Sequence, residues 1–111
     1  MQSALQVVFH GMDHSEALEQ KIFEEFGKLE KIPDSITDCR VTIEAPHRHK
    51  RKGKLFDIAI NLDVPGGGLT ARTGGSKNPA HEDANIALRD VFQTITRQLK
   101  ELSERQKAHR A

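Results

Sequence analysis

The chain has 111 residues, a net charge of +1 and a single cysteine. This length predicts one domain with one hydrophobic core, and the lone cysteine excludes an internal disulfide. No apolar run reaches membrane-spanning length and the N-terminal residues do not resemble a signal peptide, so we expect a cytoplasmic protein.

Charge is unevenly distributed along this nearly neutral chain. Residues 13–38 contain eight acidic and three basic side chains, whereas residues 40–54 contain six basic side chains and one glutamate. The basic segment favours local attraction of a polyanion, although a net charge of +1 gives little long-range attraction.

The first third of the chain predicts a strand followed by a helix. Apolar and polar residues alternate over residues 5–10, which indicates a short strand. Asp13 stands three residues before Glu16, a spacing typical of a capping box, so we expect the helix to begin there. The helix should end before Pro33, with a mostly acidic outer face. Its apolar stripe consists of Leu18, Ile22, Phe26 and Leu29.

The centre of the chain predicts two strands on either side of a basic loop. Residues 39–43 and 55–64 both alternate between apolar and polar side chains, and the second run is long enough to be the central strand. Its polar residues Asp57, Asn61 and Asp63 are expected on the open face of the sheet. The loop contains five cations, namely Arg48, Lys50, Arg51, Lys52 and Lys54.

The remainder of the chain predicts a turn, a strand and a long helix. Residues 65–68 have turn composition, and a weaker strand follows at residues 69–73. Asn78 is expected to cap the second helix, with Pro79 at its first position. The apolar band of this helix consists of Ala84, Leu88, Val91, Phe92, Ile95, Leu99 and Leu102, and its opposite side carries Arg89, Gln93, Arg97 and Lys100.

The predicted fold is a two-layer α+β domain with the order β-α-β-β-β-α. The helical connection makes the first two strands parallel, and the shorter loops pair the other neighbours antiparallel, which gives a four-stranded mixed sheet. Because each helix has one apolar stripe, both should pack on the same sheet face. The domain is expected to span residues 1–102, with a polar, frayed end at residues 103–111.

No catalytic, cofactor or metal site is indicated. Neither glycine-rich segment has the spacing and context of a phosphate-binding loop, and Cys39 falls among inward-facing apolar residues of its strand. His47, His49 and His81 form only a weak metal pattern, because no further ligand stands at suitable spacing. We therefore expect a protein that is not an enzyme and holds neither metal nor cofactor.

Nucleic-acid binding is better supported by the residues. Five cations in one hairpin loop can neutralise several phosphates and release their counterions. Base stacking is not expected, because the sequence has no Tyr or Trp and both Phe9 and Phe56 follow the inward pattern. RNA would therefore be held through its backbone and its shape.

Several motifs resemble the ribosome hibernation-promoting factor family, whose members are also called ribosome-associated inhibitor A or sigma-54 modulation proteins. The resemblance covers about residues 5–102 and includes the order of the elements. The motifs that carry it are CRVTIE at 39–44, PHRH at 46–49 with Gly53, VPG at 64–66, HED at 81–83, ALRDVF at 87–92 and RQL at 97–99.

This resemblance implies a non-enzymatic translation inhibitor that acts in ribosome hibernation and the stress response. Such a protein binds the small ribosomal subunit over ribosomal RNA in the decoding region and blocks messenger and transfer RNA. It is expected to be a short form without the extra C-terminal domain of long members, with no membrane partner and no small-molecule substrate. The implied phosphate contacts are Arg48, Lys50, Arg51, Lys52, Lys54, Arg89, Arg97 and Lys100.

The residues leave other functions open. The acidic first helix is suited to a regulatory module that binds another protein. A metal-assisted hydrolase using the three histidines is the third hypothesis. Oligomeric state, growth-phase control and any role in ribosome pairing are not predicted by the sequence.

Overall fold

The computed structural model describes residues 5–32, 36–46, 55–73 and 78–110, with side chains described up to residue 105. The helices and strands are β1 (Leu5–His10), α1 (Glu16–Leu29), β2 (Asp38–Glu44), β3 (Asp57–Val64), β4 (Gly67–Arg72) and α2 (Ala84–Arg110), with a short 3-10 helix at Pro79–Glu82. This order confirms the predicted α+β class. Within the described ranges, no helix is both long and apolar enough to cross a membrane.

The four strands form one mixed sheet in the order β1-β2-β3-β4. Strand β1 runs parallel to β2, and β3 pairs antiparallel with both β2 and β4, as predicted. Across the sheet, Val41 faces Val7 on one side and Ile60 on the other, so apolar residues line up in rows. These rows form the inner face of the sheet.

A single hydrophobic core fills the space between the sheet and the two helices. Strand β3 contributes four of its buried side chains, and the predicted stripe of α1 is buried along its whole length. Both helices therefore pack on the same face of the sheet. Cys39 is also buried in this core, where desolvation raises the pKa of its thiol to about 12, so the thiol acts as a small apolar side chain. The buried residues of β3 are Ile58, Ile60, Leu62 and Val64.

The predicted start of α1 is wrong by a few residues. Ser15, not Asp13, is the N-cap, and its hydroxyl oxygen accepts a hydrogen bond from the backbone N–H of Leu18 at 3.2 Å. Glu16 therefore occupies the first helical position, where its side chain does not complete a capping box. The capping box with Asp13 fails because a better-placed serine lies closer to the apolar stripe.

The predicted second helix is divided into two parts. Asn78 caps the 3-10 helix Pro79–Glu82, with its side-chain oxygen accepting from Ala80 N–H at 3.0 Å. Asp83 then has an extended backbone, and its carboxylate accepts from the N–H of Asn85 at 2.9 Å at the beginning of α2. Helix α2 continues to Arg110, whereas the sequence predicts fraying from residue 103.

Strand β4 begins earlier than predicted because the turn is shorter. Only Pro65 and Gly66 form the turn, and Gly67 already pairs with Val64. Gly67 has a φ of 137°, a conformation that side chains rarely adopt, so glycine is required at this point. The hairpin therefore closes with two turn residues.

Candidate nucleic-acid interface

The basic loop predicted from the sequence lies outside the described residues. Arg48, Lys50, Arg51, Lys52 and Lys54 all fall in residues 47–54, so the five predicted phosphate contacts there stay predictions. The structure does describe both flanks of this segment. Glu44 at the end of β2 faces Asp57 at the beginning of β3, so the chain leaves β2 and enters β3 at the same end of the two central strands.

The three remaining predicted contacts lie on α2 and are exposed. Arg97 and Lys100 are three residues apart, so they occupy neighbouring positions on one face of the helix. Neither forms a salt bridge with another residue in the described part of the chain. The guanidinium group of Arg97 and the ammonium group of Lys100 are therefore both accessible to solvent or a ligand. Arg89 lies two turns earlier on α2.

Arg97 and Lys100 border an open groove of about 400 Å³ between α1 and α2. The groove also contains carboxylates, so its charge is mixed rather than uniformly positive. Its lining residues are Glu25, Phe92, Gln93, Thr96, Arg97, Lys100, Glu101 and Glu104. The α2 cations can contact a phosphate backbone at the rim, but the groove is not a deep anion pocket.

Arg89 differs from the other two cations because it is partly neutralised within the protein. Its Nη2 lies 3.3 Å from Oδ1 of Asp90, although 59% of its side chain is exposed. An exposed ion pair of this kind contributes little to stability and breaks easily. We therefore expect Arg89 to be a weaker phosphate contact than Arg97 or Lys100.

His81 does not lie at a catalytic or metal site but is a buried link between two elements. Only 5% of the residue is exposed, and its Nε2 lies 2.7 Å from Oδ2 of Asp90 on α2. Because a carboxylate only accepts, Nε2 carries the proton and donates. The backbone oxygen of His81 accepts from Phe56 N–H at 2.9 Å, so His81 joins α2 to the residue that precedes β3.

The hydrogen bond from His81 favours the ionised form of Asp90. It lowers the pKa of the Asp90 carboxyl below its usual value, with a smaller contribution from Arg89. A carboxyl whose pKa is lower in the folded state stabilises the fold when it is ionised. This stabilisation is complete at pH values well above about 4, the ordinary pKa of an aspartate in the unfolded chain. It is lost as the pH falls through the lowered pKa of the folded state.

We predict that Asp90→Asn lowers the free energy of unfolding at pH 7 by about 1 kcal/mol. The loss is modest because the Asp90 side chain of the His81–Asp90 pair is partly exposed to solvent. The difference between the wild type and this variant should shrink as pH falls below about 4. Urea unfolding of both proteins at pH 7 and pH 3 measures this difference in the free energy of unfolding. A difference that stays constant between these pH values would show that the ionised carboxylate is not the stabilising group.

The open face of the sheet is acidic and does not suit a phosphate backbone. Asp57, Asn61 and Asp63 lie on this face, as predicted. Arg72 on β4 is held by Asp57 through two contacts, Nη2 to Oδ2 at 2.9 Å and Nε to Oδ1 at 3.3 Å. By strand alternation, the face carries four carboxylates against two guanidinium groups, and its charged residues are Asp38, Arg40, Glu44, Asp57, Asp63 and Arg72.

The structure gives no support to the metal hypothesis. His47 and His49 lie outside the described residues, and His81 is engaged by Asp90. Among the residues that are described, no group of three potential ligands comes together. The sequence could not reveal the role of His81, because its partner lies nine residues further on, beyond a helix break.

Several solved structures have similar folds, and two of them illustrate the similarity to this chain. The N-terminal domain of Thermus thermophilus Protein Y superposes with a TM-score of 0.67 at 13% identity, over 90% of this chain and 98% of that chain. A ribosomal subunit interface protein from Coxiella burnetii gives a TM-score of 0.68 at 17% identity, over 87% of this chain and 93% of that chain. No protein of curated function matches significantly.

The sequence itself matches a family model over nearly its whole length. The model is described as sigma 54 modulation protein / S30EA ribosomal protein and matches residues 5–107. The proteins of this family are ribosome-associated modulation factors and not enzymes, which confirms the expectation of a non-catalytic protein. The chain therefore belongs to the sigma 54 modulation protein / S30EA ribosomal protein family.

Proposed function

We propose that this protein binds the small ribosomal subunit over ribosomal RNA near the decoding region, where it blocks messenger and transfer RNA. Family membership supports the association with ribosomes. The Coxiella burnetii protein of similar fold is named as a ribosomal subunit interface protein. In the cell, the protein would act in the cytoplasm as a hibernation factor during stress.

One observation carries the RNA part of this proposal. Arg97 and Lys100 are exposed neighbours on α2 and have no ion-pair partner in the described ranges, whereas the open sheet face carries an excess of carboxylates. Phosphates are attracted to these two unpaired cations, whereas a surface with an excess of carboxylates repels them. The α2 surface that carries these two cations and the basic loop 47–54 would therefore face the RNA, and the open face of the sheet would face away.

The binding would be mainly to the RNA backbone. Phe9 and Phe56 are partly buried and pack against the core, so neither ring is presented on the open sheet face as a stacking platform. Cations that contact phosphates position a protein without reading the sequence of the bases. Affinity should therefore depend strongly on salt.

A pair of matched substitutions tests which face contacts RNA. We predict that Arg97→Gln weakens binding to purified small ribosomal subunits about fivefold and lowers the salt slope of the binding constant by about 1. Arg40→Gln makes the same chemical change on the open sheet face, where Nε and Nη2 of Arg40 both donate to Oε1 of Gln6 at 3.4 Å. This control should change affinity less than twofold. Equal effects of the two substitutions would contradict the proposed orientation.

The blocking step requires a separate measurement. The bound protein should protect decoding-region RNA from chemical modification and should prevent a messenger RNA and initiator transfer RNA from assembling on the small subunit. Protection confined to another part of the subunit, or assembly that proceeds in the presence of saturating protein, would contradict the decoding-region proposal.

A further inference from the structure

The outer face of α1 presents a large aromatic side chain to solvent. Phe23 is 49% exposed, although every residue of the apolar stripe on the same helix is buried. Single exposed apolar side chains are common and need no explanation by themselves. What surrounds Phe23 makes this position unusual.

Gly27 lies one turn after Phe23, on the same face of α1. Glycine is less favourable than alanine in a helix interior because it leaves the unfolded chain more freedom. The fold gives no reason for glycine here, since its φ is not positive and a Cβ would meet no atom within 4 Å. Gly27 is the third residue from the end of α1, and the absence of a structural benefit makes it a candidate for a contact with another molecule.

The missing side chain leaves a gap over the helix backbone at Gly27, one turn after Phe23, where a Cβ would have no atom within 4 Å. An apolar group of another molecule can enter this gap and contact both the ring and the helix backbone. Aromatic side chains, phenylalanine included, are enriched at the centre of protein interfaces. The face is distinct from the groove between the helices, which Glu25 borders on the other side of α1.

The charge around this face is negative. Glu16 and Glu19 precede Phe23 on the same side of α1, at helical spacing, and Glu19 also contacts His14 at 3.1 Å. The two lysines of α1 lie on the opposite side, where Lys28 pairs with Glu25 at 3.2 Å. These carboxylates repel a phosphate backbone and attract lysine and arginine.

We propose that Phe23 and Gly27, flanked by the carboxylates of Glu16 and Glu19, form a contact surface for a basic protein segment. An apolar side chain of that segment lies against Phe23 in the gap over Gly27, and its lysine or arginine side chains pair with the glutamates. This surface is separate from the α2 cations, so the inference does not depend on how the protein contacts RNA.

Photocrosslinking in cells tests this contact directly. The photoreactive amino acid benzoylphenylalanine replaces Phe23 in the full-length protein, and the crosslinked peptide is identified by mass spectrometry after irradiation. We expect a crosslink to a protein segment of net positive charge. Adding Gly27→Gln, which fills the gap, should lower the crosslink yield roughly tenfold, as loss of an anchor contact does.

A matched control is available on the same helix. Ala17→Gln places the same side chain at an exposed position away from Phe23 and should leave the crosslink yield unchanged. Glutamine is a better helix former than glycine, so Gly27→Gln should not lower the melting temperature. A crosslink to RNA, a crosslink to an acidic or neutral segment, no crosslink, or a yield unaffected by Gly27→Gln would each overturn the proposal.

Discussion

Reversing the charges of Arg48, Lys50, Arg51 and Lys52 together to glutamate is expected to weaken binding to the small ribosomal subunit by several kcal/mol, about a thousandfold. These four cations are concentrated in one segment of the chain, between β2 and β3. Each phosphate contact that is lost reduces the number of counterions released on binding. The slope of log K against log salt should therefore become less negative by roughly 3 to 4.

Binding measured by sedimentation with purified subunits at several salt concentrations gives both quantities. The free energy of unfolding should change little in the same variant, because the sequence predicts these charges in an exposed loop, and exposed charges contribute little to stability. Unchanged affinity and an unchanged salt slope in a folded variant would show that the contact surface lies elsewhere.

Ile60→Ala is expected to destabilise the protein by about 2–5 kcal/mol. Ile60 is fully buried in the middle of β3, where it faces Val41 on β2 and Ala71 on β4. Shortening it removes apolar contacts and leaves a cavity that rigid neighbours on both sides cannot fill. Denaturant unfolding should show a lower midpoint with an unchanged slope.

Asn61→Ala is the matched control for this substitution. Asn61 follows Ile60 on the same strand but lies on the open face, where its Oδ1 accepts a hydrogen bond from the Thr70 hydroxyl at 3.0 Å. We expect a loss below about 1 kcal/mol, because this hydrogen bond is exposed to water. A similar loss for both substitutions would contradict the assignment of one buried and one solvated face to β3.

The sheet and the core could be predicted from the sequence because each depends on a short repeat. Alternation over residues 55–64 shows which side chains of β3 are buried, and helical spacing identifies the stripes of both helices. Parallel pairing of β1 and β2 follows from the helix that connects them. These features can be predicted without knowing which distant residues are in contact.

The features that could not be predicted depend on contacts between separate elements. The break before α2 occurs where His81 bonds both Phe56 and Asp90, and no local pattern indicates either partner. Ion pairs within the protein could not be predicted for the same reason. Helical periodicity predicted that Arg89, Arg97 and Lys100 would be exposed, but not that Arg89 would lie beside Asp90.

The central claim is that this small domain binds one ribosomal subunit through its cations. Sedimentation of the wild-type protein with purified small and large ribosomal subunits, at low and at raised salt, tests it most directly. We expect co-sedimentation with the small subunit at low salt and progressive release as the salt concentration rises. Absence from the small-subunit fraction at every salt concentration would contradict it.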